Sequence, residues 1–69
     1  MTNPERPEEI RAELKKLKYS AMQLKMDLHD LAEDLPLDWN RIPEVAANTF
    51  ETYAAIDRLE RELRQEASA

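Results

Sequence analysis

Residues 10–35 read IRAELKKLKYSAMQLKMDLHDLAEDL, and the spacing of their apolar side chains decides the fold. Ile10, Leu14, Leu17, Ala21, Leu24, Leu28, Leu31 and Leu35 recur at intervals of 4, 3, 4, 3, 4, 3 and 4. A repeat averaging about 3.5 residues keeps one seam on one side of an α-helix, as in a coiled coil. A half-buried strand would need alternation with a period of two, which is absent. A second ridge, Tyr19, Met22, Met26 and His29, spaced 3, 4 and 3, is expected to run beside the seam. Together the ridges make an apolar face wide enough for two neighbours.

Prolines mark the limits of the regular segments. Pro4 and Pro7 belong to a short leader, and Pro7 suits a first helical turn, where its missing N–H costs nothing. Glu8 and Glu9 place negative charge at the positive end of the helix dipole. Pro36 disfavours the helical region for Leu35. The first helix is therefore predicted over about 7–34, roughly 40 Å long. Residues 35–42 form the connection, with Asp38 or Asn40 as candidate caps for the next helix and Pro43 in its first turn. The second helix is predicted over about 41–65, roughly 37 Å. Its apolar residues, Val45, Ala46, Phe50, Tyr53, Ile56, Leu59 and Leu63, drift around the axis. Two helices of similar length joined by a short link read as an all-α antiparallel hairpin, one domain over 1–69.

A chain of 69 residues cannot bury much core by itself. It has no cysteine for a disulfide or thiolate site, so self-association is expected, as a dimer or tetramer built on a four-helix bundle. The expected oligomer interface draws Leu14, Leu17, Leu24, Leu28 and Leu31 from the seam and Met22 and Met26 from the second ridge. Phe50, Tyr53, Ile56 and Leu59 contribute from the second helix. Charge sets the expected orientation. Residues 1–25 carry +2, residues 26–51 carry −6 and residues 52–69 carry −1. Two hairpins with loops together would set −6 against −6, so loops at opposite ends are expected. Screening beyond about 8 Å keeps this preference modest.

Composition also excludes several functions. A net charge of −5 and a pI near 4.8 argue against nucleic acid as a partner, because such binders need a basic face. Glycine is absent, so phosphate-cradling loops and dinucleotide fingerprints are ruled out. No apolar run approaches the ~20 residues of a membrane span, and the N-terminus shows no apolar signal region. A soluble, cytoplasmic protein is expected. No enzyme is expected either. The only serines, Ser20 and Ser68, lack a base and an orienting group nearby, and the carboxylates line an open helix face.

Residues 26–36, MDLHDLAEDLP, are followed by IPEVA at 42–46 and then by Phe50 and Tyr53. In these blocks, and over roughly Ile10 to Leu63, the chain resembles the small Rop-like proteins associated with bacterial nitrogen fixation, a family of undefined biochemical function. The resemblance implies an antiparallel hairpin that oligomerises. It also implies an origin among nitrogen-fixation genes, near factors that handle the nitrogenase metal cofactor. It carries no catalytic residue onto this sequence and imports no RNA binding.

The residues with chemistry cluster near the connection. His29, the only histidine, shares a helix face with Glu33 at i+4 and adjoins Asp30. These three are the weak candidates for a metal ion, with four ligands available if a twofold axis brought two pairs together. The plainer reading, a histidine at an interface bonded to a carboxylate, is preferred, and no cofactor is assigned. A ferritin-type Glu-x-x-His set fails because Met26 stands where glutamate is required. Met22 and Met26 are read as packing residues before soft-metal ligands. Trp39 is expected to fold back over Leu35, Leu37 and Ile42, with partner contact as the alternative. If the acidic tip docks onto a basic surface, His29, Asp30, Asp34 and Trp39 are the candidate contacts. The sequence thus points to a non-enzymatic, oligomeric hairpin that binds a nitrogenase component or cofactor-assembly protein. Metal delivery through His29 and nearby carboxylates is the alternative.

Overall fold

The computed structural model describes residues 5–68, with side chains from 6 to 66. Residues 1–4, including Pro4 of the leader, and Ala69 lie outside the described residues. Helix α1 spans Glu5–Asp34 and helix α2 spans Ile42–Ser68. Among the described residues there is no strand. Lys, Glu, Leu and Ala dominate α1, and each loses little side-chain freedom in a helix. The helix starts two residues before the predicted position, which still leaves Pro7 in its first turn. It stops at Asp34, as the Leu35–Pro36 step requires. The second helix runs three residues beyond its predicted end.

The connection holds a short 3-10 turn, Trp39–Arg41, that leads directly into α2. The expected side-chain cap for α2 is absent. Asp38 precedes the turn at φ 56° and ψ 27°, with no capping bond from its side chain, and Asn40 lies within the turn. Backbone groups close the connection instead. The Leu37 N–H donates to Asp34 O and the Arg41 N–H to Asp38 O, each at 2.9 Å. The Ile42 N–H donates to Trp39 O. The Leu35–Pro36 peptide bond is cis.

The helices lie antiparallel in a rod of 54 × 15 × 13 Å. Ile10, Leu14 and Ala21 of α1 pack with Ile56 and Leu59 of α2, and Leu17 and Leu63 border this cluster. Leu31 and Val45 are buried nearer the connection. Ala21, the small member of the seam, is buried within this cluster. Thr49 and Thr52 hydroxyls donate back to the carbonyls of Val45 and Asn48, at 2.7 and 2.9 Å, satisfying themselves within α2. At the open end, Arg6 Nε and Nη2 both donate to Glu62 Oε1, at 2.9 and 2.6 Å. Lys18 Nζ reaches Glu60 Oε1 at 3.6 Å.

The seam is only partly covered. Leu17 and Leu24 are half-buried, whereas Leu28 and Leu35 are exposed. A straight helix drifts about 20° per heptad from a 3.5-residue repeat. One antiparallel mate therefore cannot cover the whole stripe.

Candidate functional site

Four of the residues read as an oligomer interface are buried inside the single hairpin. Leu14, Leu31, Ile56 and Leu59 take part in helix-on-helix packing. Leu17 and Leu24 are half-buried there. The residues left for a neighbour are Met22, Met26, Leu28, Phe50 and Tyr53, all exposed. Phe50 is the most open of them at 74%. Met22 and Tyr53 face one shallow groove between the helices, with Lys18, Lys25 and Glu60 at its rim. Met22 and Met26 face a second groove with Lys25, His29 and Asp30. Phe50 lies one turn before Tyr53, on the same side of α2. Tyr19 extends the α1 side of the stripe and is also exposed. These side chains form a broken apolar stripe, with Lys18 and Lys25 lining the groove between Met22 and Tyr53. The Tyr19, Met22 and Met26 ridge turns away from the buried seam instead of running beside it, because each residue advances about 100° round the helix.

His29 stands at the end of that stripe. Its Nδ1 is 3.6 Å from Asp30 Oδ1 and its Nε2 is 3.5 Å from Glu33 Oε1. The two carboxylates therefore face opposite ring nitrogens. In this arrangement no one ion on His29 would be held by both. Among the described residues no group of three or more His, Cys, Asp or Glu side chains is placed to hold a metal. His29 is well exposed, not packed in an interface of the hairpin itself.

The loop end has a different character. Leu35, Leu37, Trp39 and Ile42 are all exposed, Leu37 at 69% and Trp39 at 67%. The expected shielding by Trp39 does not occur within one chain. Leu37, between Pro36 and Asp38, lies outside the heptad register, and that offset was the available sign that no helix would bury it. Asp30, Glu33 and Asp34 close α1 without a basic residue in its last turn. Negative charge near a helix C-terminus opposes the macrodipole, at about 0.3–1 kcal/mol for each exposed group. Glu44, in the first turn of α2, has the favourable sign.

Some of the charge toward the open end is paired. Arg6 bridges Glu62 and lies 3.7 Å from Glu9, and Arg61 lies 3.1 Å from Asp57. The hydrogen bond to Glu62 raises the Arg6 guanidinium above its ordinary range, with the nearby carboxylates adding to the effect and desolvation opposing it. Arg6 is therefore a permanent cation holding the two helix ends together.

Two long helices folded back on each other, with an open apolar stripe and an acidic turn, define a helical-hairpin protein of small size. The Rop-like family profile matches residues 5–68, and the chain belongs to that family. A UPF0437 protein of Nostoc sp. is 50% identical over 58 residues, covering 84% of this chain and 82% of the relative. One from Azorhizobium caulinodans is 43% identical over 58 residues, covering 84% of each chain. A UPF0437 protein from Frankia alni, described as lying in the nifX-nifW intergenic region, is 49% identical over 55 residues. That match covers 80% of this chain and 67% of the relative. No solved structure gives a significant match. Among the described residues no helix is long and apolar enough to cross a membrane.

Proposed function

We propose that the protein is a non-enzymatic accessory factor of nitrogen fixation, an oligomeric hairpin that binds a nitrogenase component or a cofactor-assembly protein in the cytoplasm. The observation that carries this reading is the Frankia relative, whose description places it between nifX and nifW. The surface agrees with such a role. Its apolar residues form an open stripe and an exposed tip, and its grooves are shallow. Substrate sites are usually concave and enclosing, whereas extended apolar patches mark association surfaces. The Rop-like fold is known to dimerise, which supports a second copy over the Met22, Met26, Phe50 and Tyr53 stripe.

The test is affinity capture from nitrogen-fixing cells, followed by binding measurements with the purified components. Recovery and direct binding of a nitrogenase component or cofactor-assembly protein is expected. Consistent failure of every such protein to bind would reject the proposal. Metal delivery, the alternative from sequence, gains no support from carboxylates on opposite nitrogens of His29.

A further inference from the structure

We infer that the loop end is a docking tip for a protein surface with basic side chains around an apolar pocket, with Leu37 and Trp39 as its anchors. The inference rests on the reading of the chain as an interaction module and specifies the chemistry of the partner. Three independent features meet at this end of the rod.

The first is apolar exposure. Leu37 and Trp39 lie on either side of Asp38, and both are more than half exposed. Tryptophan is the residue type most enriched among binding hot spots, where it fills a desolvated pocket on the partner. The second is unanswered charge. Residues 26–51 carry −6. Among the described residues, the Asp34, Asp38 and Glu44 side chains form no ion pair or hydrogen bond, while Arg6–Glu62 and Lys18–Glu60 bridge the two helices farther from the turn. A partner that covers Leu37 and Trp39 must face these carboxylates, so basic side chains complement it and acidic ones are repelled. Nucleic acid and anionic lipid are disfavoured by the same charge.

The third is a fixed backbone. Three main-chain hydrogen bonds close the turn between Asp34 and Ile42. Asp38 holds a left-handed conformation there, with its side chain uninvolved in capping. A tip already shaped before contact loses less conformational freedom on binding. The acidic end of α1 opposes its own dipole, so the charge does not serve the helix that carries it.

Trp39 is the only tryptophan and supplies its own reporter. The chain labelled with 5-fluorotryptophan gives one fluorine resonance. It is titrated with purified nitrogenase component proteins and cofactor-assembly proteins at low and high salt. Calorimetry measures affinity for the unlabelled chain, Trp39→Ala, Leu37→Ser and the Asp34→Asn/Asp38→Asn pair. Circular dichroism confirms that each exposed-site variant keeps its helices. With one of these proteins the resonance is expected to shift. Trp39→Ala and Leu37→Ser are each expected to weaken binding about thirtyfold. The charge-neutralised pair is expected to bind more weakly at low salt and to lose much of the salt dependence.

Binding with an unmoved resonance and unaffected variants would overturn the tip as the docking site while leaving the interaction module intact. Self-association of the chain that is lost in both Trp39→Ala and Leu37→Ser would assign the tip to a second copy and overturn the inference. Binding by none of the proteins would remove both readings.

Discussion

Asp38 shows how much a single residue decides in a chain without glycine. Its φ of 56° lies in the left-handed region, where a Cβ normally crowds the following carbonyl. Aspartate and asparagine tolerate this region better than other residues with a side chain. A β-branched residue does not, so Asp38→Val is expected to destabilise the chain by about 1–2 kcal/mol. Asp38→Asn should change stability little. Urea unfolding followed by circular dichroism separates them. Equal midpoints for Val and Asn would mean that the turn relaxes away from this conformation. The left-handed residue was not legible in the sequence, because Asp38 reads equally well as a helix cap. Only the backbone path between two antiparallel helices selects between these uses. Trp39 was ambiguous for a related reason. Its size fits both a shield and an anchor, and exposure depends on which way the turn carries it.

The heptad of α1 made the helix and its termini legible, because Pro7 and Pro36 act locally and the apolar period is sustained. It did not reveal how the seam would be shared. The same spacing describes Leu14, buried in the hairpin, and Leu28, open to solvent. The difference arises from the mate, whose apolar residues drift and cover only part of the seam. Two substitutions test this division between inside and outside. Ile10 is fully buried, and Ile10→Ala is expected to cost about 2–4 kcal/mol through lost contacts and a residual cavity. Its signature is a lower urea midpoint for helix unfolding. Phe50 is exposed in the hairpin, so Phe50→Ser removes no intrachain core. Its expected effect is weaker self-association in sedimentation, with the helices retained. Unchanged sedimentation would place the stripe outside any interface between copies.

The whole molecule is a thin rod, and its two ends carry different electrostatic instructions. Its apolar interior is small for an ordered chain of this length, so covering the stripe with a second hairpin is the natural route to a stable particle. In the proposed oligomer, charge is expected to set the direction of the second hairpin. The loop segment at 26–51 carries −6, while the segments that meet at the open end carry +2 and −1. Loops at opposite ends would bring the acidic tip beside the near-neutral end, and they would also leave the two proposed docking tips facing away from each other. The chain has no native cysteine, so Asn40→Cys provides one spin label per hairpin at the turn. Pulsed dipolar spectroscopy is expected to give a separation close to the 54 Å length of the rod. Loops on the same end would bring the labels within about 20 Å, since packed helices lie only 8–10 Å apart. That short distance would refute the opposed arrangement and leave the like-charged tips crowded together. Added salt should reduce the bias toward opposed loops, because exposed charges are screened over roughly 8 Å at physiological ionic strength. A population of short distances that grows with salt would identify charge, and not side-chain packing, as the force that sets the orientation.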